Sequence, residues 1–437
     1  MAETPQSLKR ELGIFGATMM GMGSILGTGV FVSIGIAAGV AGPAVILAIG
    51  LAALVAICNG LNSAQLAANH AVSGGTYEYG YKYLNSWLGF TAGWTFLLAK
   101  TASAATAALG FGGYLLNLLG VNTREYLIPL GLAAVIVLTL IVLSGLRRSN
   151  ITNIVIVSIT IAALALFSIA GLPKLVAAGS ENLTPFFNTE GNAIANLLQA
   201  TALMFVAYTG YGRIATMGEE VRDPRRVIPR AIIVTMILTM VLYISIAIVA
   251  VGVVGTEVLA GSTQAQAAPL EIAAREFDIP LVAQAVAVGA ITAMLGVLLN
   301  LILGLSRVLL AMGRRHDMPA ATARLNANNS TPYVAVLIIG IGIAGLVLIG
   351  NVKTTWSFSA FTVLIYYAIT NLSALQLNTD ERLYPKWIAW VGLTACLFLA
   401  FWVEVQIWLV GLGMIGLGLI WHAVARQITR KSQTETT

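Results

Sequence analysis

Two short runs of glycine and hydroxyl residues interrupt segments that are otherwise apolar enough for lipid. The first is Gly21-Met22-Gly23-Ser24-Ile25-Leu26-Gly27-Thr28-Gly29-Val30-Phe31; the second, far downstream, is Tyr208-Thr209-Gly210-Tyr211-Gly212. Glycine in a helix interior costs about 1 kcal/mol relative to alanine, and unwound backbone at membrane depth survives only where protein buries it or it lines a cavity. A half-helix N-terminus presents N–H donors that suit a carboxylate, and a half-helix C-terminus presents carbonyls that suit an ammonium. Two such breaks therefore predict a site for a zwitterion. Lys100 is the third chemical signal. It stands about 12 residues, or roughly 18 Å at helical rise, into the third apolar segment, which is mid-bilayer. A lysine there costs about 2.5–3.5 kcal/mol on insertion scales and marks an ion or proton path; unlike arginine, it can release its proton.

The elements that must position these residues are transmembrane helices. The chain of 437 residues is 58% hydrophobic and 10% charged, with mean hydropathy +0.87, against about 25% charged in an ordinary soluble domain. At about 20 apolar residues per crossing, spans are predicted near 14–38, 43–69, 87–118, 127–146, 151–171, 194–217, 229–254, 281–312, 333–350, 355–377, 387–403 and 405–425. Short tails, 1–13 and 426–437, flank them, and the start is expected to be retained, because a long broken segment does not read as a cleaved signal. The net charge of +6 sits in short loops and reads as orientation, not as nucleic-acid binding. With a cytoplasmic N-terminus, Lys82, Arg147, Arg148, Arg222, Arg225, Arg226, Arg230, Arg314, Arg315, Arg324, Arg382, Lys386 and Arg426 face inside, whereas Arg124, Lys174, Arg275 and Lys353 face outside. The positive-inside rule then places both termini in the cytoplasm, with the plasma (inner) membrane as the expected location.

The broken spans are the first and the sixth. Residues 14–171 and a second half from 194 to 350, completed by the tenth span at 355–377, thus form two five-span units of opposite orientation. Inverted repeats with discontinuous helices in corresponding positions are a common transporter architecture. The spans at 387–425 are additional. Cys58 and Cys396 both lie in apolar stretches and predict neither a disulfide nor a metal site.

Several motifs resemble the amino acid–polyamine–organocation (APC) permeases. They are the first broken segment, Ser73-Gly74-Gly75-Thr76-Tyr77-Glu78-Tyr79, Gly93-Trp94, the run Gly218-Glu219-Glu220-Val221-Arg222-Asp223-Pro224-Arg225-Arg226-Val227-Ile228-Pro229-Arg230, and Ser306-Arg307-Val308-Leu309-Leu310-Ala311-Met312 with Pro319 and Thr331-Pro332. The resemblance covers about residues 9–425. It implies an all-α, twelve-helix, five-plus-five (LeuT-like) fold, alternating access, and an amino acid clasped by the first and sixth helices. By position in the motif, Gly27, Thr28 and Gly29 would bind the carboxylate. The carbonyls of Ile25, Val206, Ala207 and Thr209, beside Gly210, would bind the ammonium.

No carboxylate is expected at mid-membrane, which disfavours a cationic substrate. A small neutral amino acid is the first expectation and an acidic one the second. Relatives often carry an acid in the sixth span where this chain has Gly212 followed by Arg213, which is expected near the inner end, paired with Glu219 or Glu220. Proton-coupled relatives place a lysine on the fifth span where this chain has Ser158. Coupling is therefore expected either through protons on Lys100 or through sodium near Ser158, with uncoupled exchange as the third option. Thr101, Asn300, Ser357 and Ser359 are the candidates for side-chain selectivity. Trp87, Trp356, Trp387 and Trp408 read as interfacial anchors, and the run Arg222–Arg230 as a lipid-facing surface helix. No cofactor is implied, the membrane lipids are the surrounding partners, and oligomeric state is not encoded legibly. An enzyme lacks support because His70, His316 and His422 fall near span ends without a zinc-protease spacing. A channel lacks a polar lining. A non-transporting amino acid sensor is the remaining rival class.

Overall fold

The computed structural model describes residues 12–70, 74–121, 123–145, 150–188, 191–215, 221–326 and 331–434. Among these the fold is all-helical. The first interrupted segment forms α1 (Ile14–Ile25), α2 (Thr28–Phe31) and α3 (Ser33–Ala41), followed by α4 (Val45–Asn69), the short α5 (Thr76–Tyr83), α6 (Ser86–Leu118), α7 (Leu127–Leu143) and α8 (Asn150–Ala178). The second forms α9 (Ala193–Tyr208), a 3-10 turn over Thr209–Tyr211, and α10 (Gly212–Ala215). Then come α11 (Pro224–Gln266), α12 (Pro269–Arg275), α13 (Val282–Arg314), α14 (Tyr333–Val347), α15 (Val352–Leu375), α16 (Lys386–Ala400) and α17 (Val405–Thr434). Seven helical stretches are long and apolar enough to cross a membrane, and the shorter apolar helices α1, α7, α14 and α16 accompany them. The protein is an integral, multi-pass membrane protein.

Local chemistry sets the helix ends. Asn85, Asn192 and Asn351 each cap a helix, their side-chain oxygens accepting backbone N–H groups of the first turn, as short amide side chains do best. Gly255, at φ 75°, breaks α11, a left-handed conformation that glycine adopts without steric cost. The Arg222–Arg230 run is not a separate surface helix: Pro224 opens α11 and Pro229 lies inside it, so the basic residues are its first turns. The Gly74–Gly75 turn, with both φ positive, leads into α5; Ser73, Gly218, Glu219 and Glu220 lie outside the described residues.

α6 is the axis of the bundle, packed against α13, α15 and α7. Small residues on its buried face, among them Ala99, Ala102, Ala104, Ala105 and Ala108, permit that close approach. Burial separates the centre from the rim. Of the apolar window of α15, 78% is inside the protein, against 17% for α17, so α17 is a peripheral helix with most of its surface left for lipid.

Candidate substrate site between the broken helices

The two interruptions meet. α1 ends at Ile25, Leu26 is extended at ψ 106°, and α2 begins after Gly27. The second break is milder, a tightening into one 3-10 turn at Thr209–Tyr211. Glycine at these places permits close contact. A methyl group on Gly210 would lie 2.3 Å from the Ser24 carbonyl oxygen, and one on Gly29 would lie 2.9 Å from the Ala207 Cα. Each broken helix thus lays a glycine on the other's backbone, whereas Gly27 packs on Val297 of α13.

Ile25, Thr28, Gly29, Lys100, Val206, Ala207, Thr209 and Gly210 line one cavity. All were picked out from the sequence. Its volume is about 40 Å³, room for a water or two. The closure extends to one end of the bundle, where Leu12, ahead of α1, pairs with Val221 beyond α10 and its carbonyl accepts the Arg222 N–H at 3.0 Å.

The Lys100 ammonium donates to the Thr209 hydroxyl at 2.6 Å, and that hydroxyl donates to the Val206 carbonyl at 2.7 Å. Tyrosines claim the other carbonyls at the breaks. Tyr243 of α11 reaches the Ile25 and Ala207 oxygens at 3.0 and 3.3 Å, Tyr367 of α15 donates to Thr209 at 3.1 Å, and Tyr114 of α6 donates to Phe31 at 2.6 Å. Ser33 bonds the Gly29 carbonyl. The acceptor side is therefore well supplied from within the protein, as buried carbonyls require. The donor side differs: the N–H groups of Thr28 and Gly29 open a half-helix, where no intrahelical acceptor exists, and the buried Thr28 hydroxyl has no partner.

Five other sequence candidates fall outside the cavity lining. Ser158 is on the exposed face of α8, whereas Asn153 and Val157 of the same helix face Gly23. Thr101 is half-buried and touches Gly342 of α14, and Asn300 is half-buried outside the cavity lining. Ser357 is fully buried with an unpartnered hydroxyl but does not reach the lining. Ser359 stands one layer back, sharing a 2.7 Å hydrogen bond with Ser103, which does line the cavity. Trp356 is not an interfacial anchor: it is buried, lines the cavity and donates its indole N–H to Leu203 at 2.9 Å.

A second polar knot ties the far end of α13 to α5 and α17. The buried Asp317 carboxylate accepts both the Tyr77 and Tyr81 hydroxyls at 2.6 Å, and its other oxygen lies 3.2 Å from His422 Nδ1. Burial first, then the hydrogen bond to Asp317, pushes both phenols of α5 above their ordinary range, so they remain donors. Arg315 pairs with Glu78 at 2.6 Å and stacks over Tyr81.

The comparisons with known proteins show the family. The chain matches the amino acid permease family model over residues 16–434. It is 37% identical over 437 residues, covering 99% of this chain and 94% of the relative, to an uncharacterised transporter of Mycobacterium tuberculosis (strain ATCC 25618 / H37Rv). It is 31% identical to the methylthioribose transporter of Bacillus subtilis (strain 168) over 82% of this chain and 80% of that one. It is 27% identical to that organism's branched-chain amino acid permease, over 98% and 96% respectively. The chain belongs to the amino acid permease family of the amino acid–polyamine–organocation superfamily.

Proposed function

We propose that the protein carries a small, non-cationic amino acid across the plasma membrane by alternating access, driven by protons. Twelve spans, two inverted five-span halves with two further helices, and cytoplasmic termini make up the proposed architecture. The observation that carries the reading is the meeting of the two helix breaks around a closed cavity that contains Lys100. The Thr28 and Gly29 N–H groups and the unpartnered Thr28 hydroxyl receive the α-carboxylate. The carbonyls of the two breaks, each with a second lone pair, receive the ammonium. Among the described residues Lys100 is the one titratable side chain lining the cavity, and it carries the coupled proton. The exposure of Ser158 argues against the sodium site built on it.

Uptake of labelled amino acids into proteoliposomes, under a pH gradient, a sodium gradient or neither, tests the reading. Accumulation with the pH gradient alone is the expected result. Flux stimulated only by internal amino acid would instead make the protein an exchanger and Lys100 a structural residue; binding without flux would make it a sensor.

A further inference from the structure

The cavity between the breaks is unbalanced in charge. Lys100 is buried at 8% exposure, and among the described residues its acceptor is one neutral hydroxyl, that of Thr209, whose own proton is committed to Val206. Among the described residues no carboxylate lines the cavity and no ion pair includes Lys100. An ammonium removed from water without a counter-charge costs several kcal/mol, and a membrane-embedded cation is ordinarily paired. Beside it the Thr28 hydroxyl, 4% exposed, lines the same cavity without a partner. The carbonyls around them are the committed groups, taken by Tyr243, Thr209 and Tyr367. The site has donors and positive charge in excess and lacks a negative one.

We infer that the substrate is an amino acid with an acidic side chain, of the aspartate or glutamate kind, whose second carboxylate pairs with Lys100. This rests on the permease reading above and names its substrate class. A neutral amino acid has no net charge and leaves the Lys100 charge uncompensated when the site closes. An acidic one, whose α-groups cancel each other, brings a single negative charge that Lys100 cancels. A cationic one adds repulsion. The pairing also gives the coupled proton a mechanical role: protonated Lys100 admits the side-chain carboxylate, and the two cross as a neutral unit. Release of substrate and proton on the far side leaves a neutral amine, which returns through the apolar core at less cost than an ammonium.

The test compares each acid with its isosteric amide, because aspartate and asparagine, or glutamate and glutamine, differ in charge and little in volume. The full-length protein in proteoliposomes is expected to take up one of the acids at least tenfold faster than its amide, and K100M is expected to collapse or reverse that ratio. A thermal-shift titration of the unaltered protein in detergent covers the case in which the variant does not fold: the acid raises the melting temperature and the amide, at equal concentration, does not. Uptake of glycine, alanine or leucine that excess aspartate and glutamate leave uninhibited would overturn the inference and leave the permease reading standing. Equal stabilisation by acid and amide would do the same. If no amino acid, acidic or neutral, were bound or carried, both would fall.

Discussion

The Lys100 ammonium and the Thr209 hydroxyl lie 2.6 Å apart, joining the central helix α6 to the 3-10 turn that interrupts the second broken helix. A change at Lys100 is thereby felt at the break itself. Protonated Lys100 holds the turn through a charge-assisted bond, roughly twice as strong as a neutral one, and the free amine holds it weakly.

The charge and the proton-carrying capacity of Lys100 are separable. K100R keeps the cation but does not release its proton. It is expected to exchange internal for external substrate while net accumulation driven by a pH gradient falls at least tenfold. The check is paired counterflow and driven uptake on the same vesicles. Driven uptake at the level of the unaltered protein would sink the assignment.

Gly210 and Gly212 predict contrasting tolerance to one added methyl group. On Gly210 the methyl meets the Ser24 carbonyl oxygen and carbon at 2.3 and 2.4 Å, backbone that cannot swing away. Overpacking of this kind costs about 1–3 kcal/mol, here at the contact between the two breaks. On Gly212 the neighbour is the Tyr367 hydroxyl at 3.2 Å, the tip of a side chain. G210A is expected to lose at least nine-tenths of uptake and G212A to retain most of it, with melting temperature as the folding control. Wild-type uptake by G210A would show that the close approach is dispensable.

The breaks are legible in the sequence because two runs of glycine and hydroxyl residues interrupt segments that are otherwise apolar enough for lipid. Lys100 was legible because its cost at that depth demands a use. What surrounds them was not, for reasons of helix rotation. Thr101 and Ser103 are two positions, about 200°, apart on α6; only Ser103 faces the cavity. α6 is apolar on every side, so its pattern carries no phase. On α8 the exposed Ser158 and the buried Val157 are neighbours, about 100° apart, which is enough to move a side chain from the core to the rim. Tyr114, Tyr243 and Tyr367 left no local signal, since each satisfies a carbonyl on a segment far away in the chain.

Asp317 and Arg315 sit two residues apart and should differ sharply in their effect on stability. Asp317 is 4% exposed and its removal strands the Tyr77 and Tyr81 hydroxyls and the His422 ring. D317A is expected to destabilise by about 3 kcal/mol, as loss of one member of a buried cluster does. The Arg315–Glu78 pair is partly open to solvent, with 39% and 17% of the two side chains exposed. R315A should therefore cost about 1 kcal/mol or less. Melting curves of the two variants in one detergent decide it, and equal shifts would refute the central role given to Asp317.

On the proposed reading, Tyr243 and the substrate ammonium seek the same oxygens. The tyrosine is fully buried and shares one hydroxyl proton between the Ile25 and Ala207 carbonyls, bridging the two breaks. Y243F removes that proton and leaves both carbonyls without the donor they had, at a cost of about 1–3 kcal/mol for a buried polar group left unpaired. The empty protein should melt lower. A bound ammonium offers three donors to those oxygens, so the liganded form loses less than the empty one, and substrate should protect Y243F more than it protects the unaltered protein. If about 1 kcal/mol of the loss is recovered on binding, affinity rises about fivefold. A thermal-shift titration with the amino acid the protein carries fastest reads both effects together. Lower affinity in Y243F would mean that the hydroxyl positions the carbonyls for the ammonium instead of competing with it.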